Sequence, residues 1–280
     1  MANTPNPVQL RSPISFIQGL ERTPEYSHLM TKHDGDRQIA IGISAMHFAR
    51  NMNQRSETPE QRLDAFSVQL IGQIPAYFEG TVALQGHHNG ERWDRKGALE
   101  KVIPLNHTLR DMVDYFPSMT VDSLRTFCTT AGRDLLHGSE ARQFDQMIFD
   151  AIVGMQQEIA LEQVLWTIEG VDDVFKAETV EEERRGVDVT VIYKGIEIYL
   201  DAKSSQMGVQ EAPKKQLTRS YRTSSDALSG YPVYTGIRYE EFKGFRAPRA
   251  AVERSAGRIA RVLEERYQAI TSDTLLQAHA

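Results

Sequence analysis

Apolar and polar residues alternate most regularly in two short stretches of the chain, Val187–Tyr193 and Ile196–Ala202. Alternation with a period of two residues is typical of β-strands. The two residues between these stretches, Lys194-Gly195, end in glycine, which is typical of the tight turn that joins two antiparallel strands. The pattern therefore predicts a β-hairpin over residues 187–202.

The turn decides which residues of the two strands lie opposite each other. If Tyr193 pairs with Ile196, then Asp188 faces Asp201, and their Cβ atoms lie roughly 5 Å apart on one face of the sheet. Lys203 follows Asp201 by two residues, so it projects from the same face. Two carboxylates so close repel each other, and the pKa of at least one should rise unless a cation lies between them. We therefore expect a site at this end of the hairpin, with a metal ion between the acids.

Apolar residues with a period close to 3.6 predict helices in other parts of the chain. The longest such stretch, Glu140–Ile168, has an apolar stripe that continues from Met155 to Glu162 after seven residues. The other predicted elements before the hairpin are helices over Gln38–Asn53, Ser56–Gly72, Leu109–Tyr115 and Val121–Leu136, and strands over Ile74–Gln85 and Val174–Thr179.

The residues after the hairpin predict a helix, a strand and a final helix: Gln206–Ser225, Tyr231–Ile237 and Pro248–Ile270. Four cations in the first of these fall at roughly helical spacing and predict one basic face: Lys214, Lys215, Arg219 and Arg222. From the long helix onward, the predicted order is αβββαβ.

The site motif reads Gly186-Val187-Asp188, then twelve residues, then Asp201-Ala202-Lys203. It resembles the motif of the PD-(D/E)xK nuclease superfamily, which includes many restriction endonucleases and junction resolvases. Val187 stands where the family name has proline. The acid-x-Lys part also occurs at Asp94-Arg95-Lys96 and Glu241-Phe242-Lys243, but neither of these has an aspartate on an adjacent predicted strand.

The resemblance covers roughly Phe144–Ile237 and implies an α/β (α+β) fold, with a restriction-endonuclease-like αβββαβ core and a mostly helical N-terminal region. We expect residues 1–138 to serve recognition or oligomerisation, residues 139–240 to form the nuclease core, and residues 241–280 to form a basic helix that packs on it. In this family the helix before the strands often contributes an acid. We expect this acid to be Glu162, with Glu158 as the alternative.

The implied function is a metal-dependent endonuclease of restriction or other defence type. The catalytic residues would be Asp188, Asp201, Lys203 and Glu162, and the three acids would bind Mg²⁺, with Mn²⁺ possible. The four cations at positions 214, 215, 219 and 222 would contact phosphates. The expected partner is double-stranded DNA, and the protein is expected to act as a homodimer because one active site cuts one strand.

Charge and composition change this picture only slightly. The 280-residue chain has a net charge of −6, which is unusual for a nucleic-acid-binding protein, but residues 209–261 carry eleven Lys/Arg against five Asp/Glu. A basic segment beside an acidic metal site suits a polyanionic substrate. Cys128 is the single cysteine, which excludes disulfides within the chain. Without a signal-peptide core or an apolar run of eighteen residues, we expect a cytoplasmic protein.

Three alternatives stay open. The hairpin could simply expose a polar face that carries Asp188, Thr190, Glu197, Asp201 and Lys203. The protein could be a nuclease of the same fold that acts on DNA junctions, single-stranded DNA or RNA. It could also bind nucleic acid without any chemistry.

Overall fold

The computed structural model describes residues 8–85, 95–177, 186–210 and 230–278. The chain forms two compact units, Met1–Ile152 and Val153–Ala280. The boundary between them lies inside one long helix, fourteen residues beyond the end of the N-terminal region that the sequence predicts. Among the described helices, none combines the length and the apolar character needed to span a bilayer.

The described part of the first unit is helical. Its helices are α1 (Pro13–Glu21), α2 (Pro24–Lys32), α3 (Arg37–Arg55), α4 (Pro59–Gln85), α5 (Arg95–Tyr115), α6 (Val121–Leu135) and the first half of α7 (Gly138–Leu165). Side chains of Thr23, Asp36 and Thr120 accept a hydrogen bond from a backbone N–H in the first turn of α2, α3 and α6, which stabilises these helix starts.

The predicted strand over Ile74–Gln85 is wrong, because these residues are the second half of α4. Leu70, Ile74 and Tyr77 are all buried, at spacings of four and three residues. That spacing is helical, and the apparent alternation after Ile74 is too short to compete with it. The predicted helices elsewhere in this unit are confirmed, with α5 starting earlier than expected.

The second unit contains a small mixed sheet and two long helices. Its elements are the rest of α7, then β1 (Val171–Lys176), β2 (Val189–Tyr193), β3 (Ile196–Ala202), β4 (Tyr231–Val233), a 3₁₀ turn (Tyr239–Glu241) and α8 (Arg249–Ala278). Residues 206–210 are also helical. The strand order is β1-β2-β3-β4; β1, β2 and β3 pair antiparallel, and β4 pairs parallel to β3. The chain is therefore a mixed α/β protein, as the sequence predicts.

One face of the sheet packs on helices α7 and α8. The buried cluster includes Val191 and Leu200 from the sheet, Leu161 from α7, and Ile259 and Leu263 from α8. The last helix thus packs on the core of the second unit. Asp201 follows Leu200 in β3 and therefore projects from the opposite face.

The register of the hairpin is confirmed from Tyr193↔Ile196 to Val189↔Leu200. Lys194 and Gly195 both have positive φ, 50° and 74°, as a two-residue type I′ turn requires. Asp188, however, lies outside the pairing. Its N–H donates to the carbonyl of Leu200 at 2.9 Å, so Asp188 and Val189 both face Leu200, as in a β-bulge. The bulge replaces the predicted direct pairing of Asp188 with Asp201.

Candidate active site

Asp188 is held by hydrogen bonds from both neighbouring strands. Its carbonyl accepts from the N–H of Ala177, which follows β1, and its N–H donates to Leu200 of β3. Its carboxylate Oδ2 accepts from the N–H of Ala202 at 2.7 Å. The bulge therefore directs the side chain across the end of β3, next to Asp201.

Asp201 and Lys203 form an ion pair at the same end of β3. Asp201 is only 5% exposed, and its Oδ1 accepts a hydrogen bond from Lys203 Nζ. The N–H of Lys203 donates to the carbonyl of Val233 in β4 at 2.7 Å, so the backbone on both sides of Asp201 is fixed within the sheet. The structure thus brings Asp188, Asp201 and Lys203 together, as the sequence predicts.

The pKa of Asp188 lies well above its ordinary value. The main cause is burial, which disfavours the charged form. The negative charges of Glu158 and Asp201 raise the pKa further, while the charge of Lys203 and the hydrogen bond from Ala202 lower it. The repulsion between the two aspartates that the sequence predicts is therefore present, despite the bulge.

Glu158, on α7, is the helix acid whose charge acts on Asp188. The sequence-based preference was Glu162, with Glu158 as the alternative. Both side chains are half-buried, but four residues separate them, which is about 6 Å along the helix axis. The contribution to the pKa of Asp188 favours Glu158, and a role for Glu162 stays a prediction. Trp166, one turn beyond Glu162, is 58% exposed, so the buried face of α7 does not continue along this line.

Two glycines, Gly186 and Gly230, allow two segments of the backbone to approach closely next to Asp201. A Cβ on Gly230, the residue before β4, would lie 2.0 Å from the carbonyl oxygen of Gly186 and 3.1 Å from the Cβ of Asp201. Gly186 itself has a φ of 68°, which favours glycine. Only glycine fits at position 230, and the contact places the segment leading to Asp188 against Asp201. Sequence reasoning missed Gly230, because nothing local distinguishes it from a loop glycine.

Thr190, on β2, and Asp201 are each 5% exposed. The alternative of a hairpin with a solvent-exposed polar face is therefore wrong at the end that carries the acids. Glu197, nearer the turn, is exposed as that alternative expects.

Within the described ranges, no group of three or more His, Cys, Asp or Glu side chains is arranged to hold a metal ion. The charges of Glu158 and Asp201 nevertheless both act on Asp188. The predicted phosphate contacts Lys214, Lys215, Arg219 and Arg222 lie outside the described residues, and their role stays a prediction.

The chain matches no protein-family model, no curated protein and no solved structure.

Proposed function

We propose that this protein is a metal-dependent endonuclease that hydrolyses phosphodiester bonds of DNA, with Asp188, Asp201 and Lys203 as its catalytic residues. The observation that carries the proposal is the Asp188 carboxylate. It is half-buried beside the buried Asp201 and has a raised pKa, which is an unfavourable arrangement for a purely structural residue. Strongly perturbed carboxylates grouped with a lysine are typical of functional sites.

The order of the elements also supports the proposal. From α7 onward, the described elements are a helix, three antiparallel strands, a helical stretch at 206–210 and a parallel strand. This is the αβββαβ order that the resemblance to the PD-(D/E)xK superfamily implies. We propose that the second unit is a restriction-endonuclease-like core on this basis.

The donor set suits Mg²⁺, with Mn²⁺ as a substitute. Mg²⁺ takes oxygen ligands and is often bound by one or two carboxylates, with water and substrate phosphate completing the shell. Asp188 accepts its one side-chain hydrogen bond through Oδ2, and Oδ1 accepts none from the described residues. Two carboxylates that repel each other gain from a cation between them.

In hydrolysis, a water oxygen bonds to phosphorus, one phosphate ester P–O bond breaks, and the departing oxygen takes a proton. When bound, Mg²⁺ supplies Lewis acidity and charge neutralisation. Asp188 and Asp201 would hold the cation, with Glu158 or Glu162 as a possible third acid. Lys203, already charged beside Asp201, would position the attacking water and offset the negative charge that develops on the phosphate.

The test is cleavage of plasmid DNA with EDTA, Mg²⁺ or Mn²⁺, in parallel with single-stranded DNA and RNA. Cleavage that depends on the metal and is abolished in Asp201→Asn supports the proposal. Lys203→Ala should also abolish cleavage but leave DNA binding nearly intact. Glu197→Gln is the matched control, since it removes an exposed acid from the same strand and should leave cleavage unchanged. Lys203→Ala that cuts at the wild-type rate would overturn the assignment.

The Asp201–Lys203 ion pair favours a second candidate, a protein that binds nucleic acid without cleaving it. In this case Lys203 would neutralise Asp201 permanently, with no need for a metal. Thermal unfolding separates the two candidates. Metal at ten times its Kd should stabilise a metal-binding protein by about 1.4 kcal/mol, and Asp201→Asn should remove this effect. A melting temperature that does not respond to Mg²⁺ or Mn²⁺ favours the non-catalytic candidate.

A further inference from the structure

A tight turn with two cations, Lys243–Arg246, follows the 3₁₀ turn in the second unit. The N–H of Lys243 donates to the carbonyl of Arg246 at 3.0 Å, and the reverse bond is 3.4 Å. Gly244 has a φ of 65°, which a type II′ turn requires of its first central residue. Phe245, the second central residue, is only 4% exposed, so it anchors the turn to the protein.

Helix α7 holds the backbone of this turn. The side-chain amide of Gln156 donates to the carbonyl of Gly244 at 2.7 Å, and the side-chain oxygen of Gln163 accepts from the N–H of Ala247 at 3.0 Å. These glutamines are seven residues apart, so they lie on the same side of α7. Gln156 is 4% exposed, and burying an amide is costly unless it is hydrogen-bonded. The turn is therefore a fixed part of the unit.

The two cations of the turn are exposed and close to each other. Lys243 and Arg246 form a bridge pair, which places their side chains on the same side with Cβ atoms about 5 Å apart. Like charges directly opposite each other are destabilising. Neither side chain forms an ion pair with any residue that the structure describes, whereas Arg249 pairs with Glu253 and Arg254 with Glu241. A bound anion would relieve the repulsion in the turn.

The turn packs along the same stretch of α7 that carries the candidate helix acids. Gln156 and Gln163, which bind the turn, bracket Glu158 along the helix but project from a different side of it, because residues two apart on a helix do not face the same way. Glu158 acts on Asp188. The backbone that leads to the turn leaves the sheet at Val233, whose carbonyl binds the N–H of Lys203. The elements that carry the acids and the lysine are thus the same ones that position the turn.

From this geometry we infer that the Lys243–Arg246 turn binds backbone phosphates of double-stranded DNA that occupies the candidate active site. The inference rests on the proposed function. It adds to the candidate active site a segment that contacts the DNA duplex, and the structure describes every residue of this segment. Contacts of this kind position the DNA and do not read its sequence. The rigid turn holds both cations in place before binding, so little side-chain and loop ordering is required on association.

The test is the salt dependence of binding to a 30-base-pair duplex, measured by fluorescence anisotropy in the Asp201→Asn background without divalent metal. Loss of two phosphate contacts should reduce the slope of log K against log salt by about 1.8. Between 50 and 200 mM salt, the affinity of the Lys243→Ala/Arg246→Ala variant should therefore fall about 12-fold less than that of the parent.

Arg249→Ala/Arg254→Ala is the matched control, because it removes the same charge from nearby cations that already have acidic partners. The control should change the slope by much less than the turn variant, and Lys243→Arg/Arg246→Lys should restore the parent slope. Equal slope changes in the turn variant and the control, an unchanged slope in the turn variant, or no duplex binding by the parent would each overturn the inference.

Cleavage by the wild-type protein separates this inference from the proposed function. If the wild type does not cleave DNA but the slope of log K against log salt is reduced in the turn variant as expected, the turn contacts DNA and the nuclease proposal fails. If the wild type cleaves and the slope is unchanged, the nuclease proposal stands and the turn has no role in it.

Discussion

At the scale of single residues, the site depends on one aspartate in an unfavourable environment. Burial and two neighbouring acids raise the pKa of Asp188, and a fixed network of backbone hydrogen bonds keeps the residue there. Functional sites commonly retain groups that reduce stability because the function requires them. Asp188 should therefore lower the free energy of unfolding when no cation is bound.

The variant Asp188→Asn should remove this cost. A carboxyl group with a raised pKa binds more protons in the folded state, so the free energy of unfolding falls as pH rises from about 3.9 to the raised pKa. Above that pKa the full penalty is present. Melting temperatures in EDTA should therefore show a gain for Asp188→Asn over the wild type that is larger at pH 8 than at pH 5. A difference that does not change with pH would contradict this account.

The two acids of α7 give a second prediction at this scale. Because Glu158 is the acid that raises the pKa of Asp188, we expect Glu158→Gln to reduce metal-dependent cleavage more than Glu162→Gln. The sequence alone favoured the opposite result. Single-turnover cleavage rates of the two variants at limiting Mg²⁺ distinguish these outcomes, and a larger loss for Glu162→Gln would restore the sequence-based assignment.

At the scale of elements, the turn of the hairpin sets the register of β2 against β3. The segments just outside these strands set the final positions of the acids. The bulge at Asp188 and the close approach of Gly186 to Gly230 both lie just outside the regular strands. Bulges are frequent next to active sites because they redirect a side chain. The ends of the strands, rather than their paired centres, therefore set the geometry of the acids.

The variant Gly230→Ala tests this placement. Its Cβ would lie 2.0 Å from the carbonyl of Gly186, so the two backbones must separate and Asp188 must move from Asp201. We expect a loss of stability of about 1–3 kcal/mol and a loss of the metal-dependent rise in melting temperature. Gly257→Ala is the control. Its Cβ meets nothing within 4 Å, so this change within α8 should stabilise by about 0.5–1 kcal/mol and leave the metal response intact.

At the scale of the whole molecule, the chain combines a helical first unit with a mixed α/β second unit that contains every described residue of the site. Under the proposed function, one such site would cut one strand of a duplex. A homodimer would supply two sites, and this is the assembly that the sequence-based function implies.

The products of plasmid cleavage test the expected homodimer. A dimer should convert supercoiled DNA to the linear form with little open circle, and sedimentation equilibrium should give twice the mass of the 31.7 kDa chain. A monomer in sedimentation that accumulates open circle would contradict the expected assembly without affecting the assignment of the catalytic residues.

The local sequence determined the hairpin, its turn and most of the helices. Strand alternation and helical periodicity are short-range patterns, because each is set by which neighbouring residues can share one buried face. The register from Tyr193 to Val189 followed from a turn of only two residues. That register placed Asp201 and Lys203 beside the end of β2, but the bulge that brings Asp188 toward them lies outside it.

Only the tertiary structure decided the features that depend on distant segments. Gly230 meets Gly186 across 44 residues of chain, Gln156 binds Gly244 across 88, and the effect of Glu158 on the pKa of Asp188 depends on how α7 packs beside the sheet. The bulge at Asp188 likewise arises where β2 leaves the ladder. Contacts of this kind have no local pattern, because burial and backbone hydrogen bonding are satisfied by the whole fold. The sequence therefore indicated which side chains compose the candidate site, and the packing decided how they are held.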